Sequence, residues 1–134
     1  MTVELAKDSL DVGMVVGNVE AMLHFYREVL GFDLEAESKT PSGATMYRLR
    51  CGTSLVKLLV PQEPPRLGNP EGGLEAATGM RWWTIIVKNL TAIAAACEAD
   101  GGEVPMPVTS PKPGTMAAIV ADPDGNLIEL IQRS

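Results

Sequence analysis

The chain has 134 residues, 46% hydrophobic and 21% charged, a length and composition that fit one domain with a real core and lie far from disordered chains. Seventeen acidic side chains against eleven basic ones leave a net charge of −6 with no concentrated Lys/Arg run, which excludes nucleic acid as a partner. No apolar run approaches the ~18 residues of a membrane span, and Met1 to Asp11 has neither a basic flank nor a secretion-type apolar segment, so a cytoplasmic protein with no membrane partner is expected.

Leu10 to Val16 alternates and is rich in valine, which predicts a strand, and Asn18 then stands as N-cap of a helix over Val19 to Leu30 that Gly31 stops. Val19, Met22, Tyr26 and Val29 or Leu30 recur on one face of that helix, with Glu20, His24, Arg27 and Glu28 toward water. Leu34 to Ser38, Met46 to Cys51 and Ser54 to Val60 supply three further strands, the last two joined at Gly52-Thr53. Pro61 to Met80, with four prolines and four glycines, is a connecting loop, and a loop of that length in a compact domain is usually functional or mobile.

The same order then returns. Arg81 to Val87 is strand-like, Asn89 stands as a cap, Leu90 to Ala99 is helical with Leu90, Ile93, Ala94 and Cys97 on one face, and Gly101 ends it. Glu103 to Val108, Thr115 to Ala121 and Leu127 to Gln132 complete the copy, the last two joined by Pro123-Asp-Gly-Asn126. Val16-Gly-Asn-Val-Glu-Ala-Met and Val87-Lys-Asn-Leu-Thr-Ala-Ile match at an offset of 71, so the chain is one domain, 1–134, holding a duplicated strand–helix–three-strand unit. The modules span about 8–60 and 81–133, with the linker at 61–80. Cys51 and Cys97 are too few for a disulfide framework and lack metal-type spacing, so they read as reduced structural thiols.

This tandem pattern, with Asp122-Pro-Asp-Gly-Asn-Leu-Ile-Glu129-Leu near the end and Phe25-Tyr26-Arg27-Glu28-Val29-Leu30-Gly31-Phe32 on the first helix, resembles the vicinal oxygen chelate superfamily. That group includes glyoxalase I, bleomycin-resistance proteins and extradiol dioxygenases. The resemblance implies an α+β fold in which two βαβββ modules form an open, cup-shaped mixed sheet, usually completed in a homodimer. It also implies four positions that hold a divalent ion in metal-dependent members. Here they are Asp11 and Trp82 on the first strands, and Lys57 and Glu129 on the last strands.

That quartet offers two carboxylates, whereas a catalytic divalent site needs about three protein ligands and an open position. Trp82 has no lone pair to donate and Lys57 brings a positive charge, so no metal cofactor is expected; the exception would be a hard ion held by Asp11, Glu129 and waters with Lys57 turned away. Without a metal, Asp11, Lys57 and Glu129 are either ion pairs that satisfy each other or a catalytic set, with a carboxylate as general base and Lys57 steadying an oxyanion. Strand parity assigns Gly13, Val15, Leu55, Leu59, Thr84, Ile86, Leu127 and Ile131 to the same lining. Met46 and Arg48 join it, the repeat sets Met116 against Met46, Arg48 suits a ligand carboxylate or phosphate, and Trp82 suits stacking on a planar molecule.

The expected ligand-binding residues are therefore Trp82, Thr84, Met46, Arg48, Leu55 and Met116, around a small, largely apolar or aromatic organic molecule. Sequestration of the bleomycin-resistance kind is the first expectation, with the Asp11 and Glu129 charges drawing a polar or cationic group. A metal-independent isomerase, lyase or hydrolase is the second, and a glyoxalase-type metal-dependent lyase the third.

Overall fold

The computed structural model describes residues 1–134 as two four-stranded mixed sheets, each with its own helix. In the first module β1 (Val12–Val15) leads into α1 (Val19–His24), followed by β2 (Asp33–Lys39), β3 (Thr45–Cys51) and β4 (Ser54–Val60), in sheet order β1-β4-β3-β2. The second repeats this with β5 (Trp82–Ile86), α2 (Leu90–Ala99), β6 (Met106–Lys112), β7 (Thr115–Ala121) and β8 (Leu127–Arg133), in order β5-β8-β7-β6. In both, the first strand runs parallel to the last and the rest is antiparallel. The duplication visible in the sequence is thus a duplication of architecture. Between the modules, 61–80 carries no helix or strand, as its prolines and glycines lead one to expect.

Alternation gives the central strands a face toward the helices and a face away from them, though β7 is buried on both from Ala117 to Ala121. Val56 and Leu58 on β4, Leu49 on β3, Ile128 and Leu130 on β8, and Ala118 and Val120 on β7 are buried beneath the helices. With Val16, Met22, Phe25, Tyr26, Leu90, Ala94 and Cys97 they form one core continuous through both modules. Burial pushes the Cys97 thiol up to about 11, leaving it an inert apolar filler on the buried face of α2.

Three local expectations are corrected. The helix predicted over Val19 to Leu30 is α-helical only to His24 and continues as a π turn over Phe25–Val29, closed by the Leu30 amide donating to the Phe25 carbonyl at 2.9 Å. The wider turn puts both Phe25 and Tyr26 into the core, their rings edge to face at 5.0 Å, where regular 3.6-residue spacing gives room for one. Asn18 caps α1 as expected, accepting from the Ala21 amide at 3.1 Å, but Asn89 makes no side-chain cap; Gln132 reaches across from β8 and accepts from the Leu90 amide at 2.9 Å. The strand expected at Glu103 to Val108 instead occupies Met106–Lys112, at the sheet edge, where Pro107 and Pro111 need no ladder donor and the register is broken twice.

The modules are latched together around the Asp122–Asn126 turn. Asp122 is buried at 4% exposure and accepts from the Tyr26 hydroxyl of the first module at 2.7 Å, from the Asp124 and Asn126 amides, and from Asn126 Nδ2 at 2.8 Å. Asp124 reaches the other way and accepts from the Gly17 amide at 2.7 Å and the Asn18 amide at 3.3 Å, at the junction of β1 and α1. Tyr26 also stacks on Trp83 at 6.2 Å, so Trp83 belongs to the helix side, as the parity of β5 requires.

Candidate functional site

The open faces are most simply described as rows of residues in register across each sheet. In the first module one row runs Gly13, Lys57, Arg48, Ala36, and the next pairs Leu59 with Met46. In the second the corresponding row runs Thr84, Glu129, Ile119, Met106, and the next pairs Ile131 with Ala117. Lys57 and Glu129 therefore occupy equivalent places. Met46 and Arg48 lie on the open face as expected, with Leu55 opposite Arg50. Met116 does not. It pairs with Gln132 and packs against the core, and the open-face counterpart of Met46 is Ala117. A one-residue slip in the assumed register moves a side chain to the other face of the sheet.

The charged residues form two separate groups. Asp11 accepts from Lys7 Nζ at 2.5 Å and from the Leu55 amide at 2.8 Å, with Lys57 Nζ 3.9 Å from its other oxygen. The Lys7 and Leu55 bonds hold the Asp11 carboxyl below its usual range, so it remains ionised and is a weak base. Glu129 accepts from the Thr84 hydroxyl at 2.7 Å. No hydrogen bond or ion pair joins Asp11 or Lys57 to Glu129, so the expected catalytic trio is divided between the modules. His24 lies outside the site, half exposed and 2.8 Å from Asp100, whose bond raises its pKa.

A cleft of about 1110 Å³ opens between β1 and β5. Gly13 and Val15 line it from the first module, Trp82, Ile119 and Leu127 from the second, and Pro65 to Leu74 of the connecting loop form a further wall. Asp11, Lys57, Thr84 and Glu129 do not line it, nor do Met46, Arg48 and Leu55. The apolar floor and the charged groups are thus neighbouring parts of the open face, joined through Gly13, which sits beside Lys57 in the ladder. The loop is strapped at two points: Asn69 Nδ2 donates to the Asp124 carbonyl at 2.7 Å, and Arg81 donates to the Leu74 and Gly73 carbonyls at 3.0 and 2.8 Å. Nothing in the sequence pairs Arg81 or Asn69 with those carbonyls; the glycines and prolines mark the loop but not its anchors.

The family model described as Glyoxalase/Bleomycin resistance protein/Dioxygenase superfamily matches residues 10–130. The chain belongs to that superfamily. Among solved structures, a glyoxalase family protein from Bacillus cereus superposes with a TM-score of 0.82 at 16% identity, covering 98% of this chain and 96% of that one. One from Enterococcus faecalis gives 0.68 at 23% identity, covering 96% of each. The trypanothione-dependent glyoxalase I of Leishmania major gives 0.71 at 20% identity, covering 95% of this chain and 87% of that one. No curated protein matches the chain. Identities this low establish the shared fold and leave chemistry to the residues.

In this superfamily member the four positions that resemblance assigns to a divalent ion do not fit one. Trp82 offers no donor atom, Lys57 brings an ammonium, Asp11 is already engaged by Lys7 and the Leu55 amide, and no three His, Cys, Asp or Glu side chains converge anywhere in the chain. What the arrangement offers instead is a half-exposed indole on an apolar cleft, with Lys57 and Arg48 in the row of the first sheet whose Gly13 lines that cleft. Neither helix is long and apolar enough to cross a membrane.

Proposed function

We propose that this superfamily member binds a small, largely apolar or aromatic organic molecule in the cleft between its modules, without a metal, and acts by sequestering it. The observation that carries this reading is Trp82. It is a large aromatic side chain left 51% exposed at the start of the edge strand β5, and it lines the 1110 Å³ cleft. Exposing an indole to water costs hydrophobic free energy of roughly 2 kcal/mol that a stacked planar ligand recovers.

Proton transfer is the weaker reading, because the bonds from Lys7 and the Leu55 amide hold the Asp11 carboxyl low and make it a weak base, and no hydrogen bond or ion pair joins Glu129 to Lys57. The proposal includes a homodimer. Val15 and Ile86, strand residues on the open faces, are 55% and 59% exposed, and a second copy of the chain covers such apolar edges.

Calorimetric titration of chelator-treated protein with 2-naphthalenemethanol, a neutral bicyclic probe, tests the reading. Trp82→Ala is expected to weaken binding at least about tenfold, in line with the ~1–2 kcal/mol of aromatic stacking and burial. Equal affinity in the variant would remove Trp82 from the site, and binding that appears only after a divalent ion is restored would replace this reading with a metal-dependent one.

A further inference from the structure

On the open face of the first module, positive charge outnumbers negative charge in a chain whose net charge is −6. Arg50 is paired with Glu35 and is neutralised. Lys7 and Lys57 share one carboxylate, Asp11, which lies 2.5 Å from Lys7 and 3.9 Å from Lys57, beyond hydrogen-bond reach of the latter. Arg48 meets no carboxylate at all; its only hydrogen bond is to the neutral Ser38 hydroxyl at 2.8 Å.

Arg48 and Lys57 are also directly opposite one another in the β3–β4 ladder. Like charges in that position repel, and nothing on the neighbouring strands of the row offsets them. The row is completed by Gly13 on one side and Ala36 on the other, and a Cβ built on Gly13 meets nothing within 4 Å. Arg48, which meets no carboxylate, and Lys57, which has only a share of Asp11, thus sit side by side between the smallest side chains available, with open space at the Gly13 end, where the row reaches the wall of the cleft. The equivalent row of the second module, Thr84, Glu129, Ile119 and Met106, carries no cation.

We infer that the ligand of this cleft is an organic anion, its apolar body against Trp82 and its oxyanion head held by Arg48 and Lys57. The inference rests on the proposed binding function and names the charge of its ligand. Arg48 presents a planar fork suited to two oxygens of one head group, and Lys57 a compact point charge beside it. An ionised head group supplies the negative charge that the row lacks. Carboxylate and phosphate share this chemistry.

Three probes with the same bicyclic body separate the possibilities: 2-naphthoate, 2-naphthyl phosphate and neutral 2-naphthalenemethanol, titrated calorimetrically at low and high salt. One or both anions are expected to bind at least about tenfold tighter than the alcohol at low salt, with the preference shrinking as salt screens the charges. The tighter of the two identifies the head group. Arg48→Gln and Lys57→Gln are each expected to remove most of the preference while leaving the affinity for the alcohol and the melting temperature close to those of the parent. Lys39→Gln, a cation of the same sheet bonded to Thr45 outside the row, is expected to leave the preference intact. Alcohol binding as tight as that of both anions, or a preference that survives in both row variants, would overturn the inference and leave the binding function standing. Failure of all three probes to bind would overturn both.

Discussion

Replacing Tyr26 with Phe isolates the latch between the modules. Only the hydroxyl is lost, from a side chain with no exposed surface, while the ring contacts to Phe25, Phe32 and Trp83 persist. Asp122 keeps its bonds from the Asp124 amide at 3.0 Å, the Asn126 amide at 2.9 Å and Asn126 Nδ2 at 2.8 Å, so one of four donors to a buried carboxylate disappears. A hydrogen bond to a charged buried group contributes about 1.5–3 kcal/mol, which places the loss near 2 kcal/mol at neutral pH. Burial raises the Asp122 pKa above 3.8, with the Tyr26 and Asn126 bonds opposing that rise. Protonation of Asp122 therefore favours the fold: that contribution is full below pH 3.8 and is lost as pH rises through the folded value. Removing the Tyr26 bond raises the folded value further, so the gap between parent and variant is widest at neutral pH and narrows as acid protonates Asp122 in both. Urea denaturation of the two proteins at pH 7 and at a series of acidic values measures this directly. A difference under ~0.5 kcal/mol at pH 7, or one that does not change with pH, would refute the assignment of Tyr26 and Asp122 as a charged, buried pair.

Other consequences follow from local geometry. A Cβ at Gly102 would lie 2.9 Å from the Cys97 carbonyl, which is backbone and cannot turn aside, so Gly102→Ala should cost about 1–3 kcal/mol, whereas Gly13→Ala meets open space and should stay within ~0.5 kcal/mol by the same denaturation assay. Arg81→Met removes both guanidinium bonds to Gly73 and Leu74; amide exchange in 65–76 is expected to accelerate several-fold with the melting temperature little changed, and unchanged exchange would mean the strap is held elsewhere. Asp100 raises the His24 pKa above 6.5, so the pair stabilises the fold below pH 6.5 and its contribution fades as pH rises through the folded value; NMR titration should show the shift disappear in Asp100→Asn.

The parts of this molecule legible in its sequence are those set by short-range period. The resemblance marked Lys57, Trp82 and Glu129, strand parity carried from them to Thr84 on the same face, and the 71-residue repeat identified the paired modules. What escaped was set by register and by contacts between distant segments. The offset of 71 carries Met46 onto Ala117, as the register has it, whereas pairing Met46 with Met116 matched residue type at an offset of 70; the longer turn between Ala121 and Leu127 alters the offset only beyond it, at Lys57 and Glu129. The π turn leaves the apolar spacing of the first helix almost unaltered, so the sequence assigns Tyr26 to the buried face but not Phe25 beside it. Prolines at 105, 107 and 111 blurred the start of β6, and the separation of Asp11 from Glu129 depends on how the modules pack, which no local pattern records.

Native mass spectrometry of chelator-treated protein titrated with 2-naphthoate tests the central claim most directly, because it reads ligand, metal and oligomer in one spectrum. The account expects a dimer taking up one probe per chain with no divalent ion in the complex. Uptake only after a divalent ion is added, with that ion retained in the complex, would contradict it.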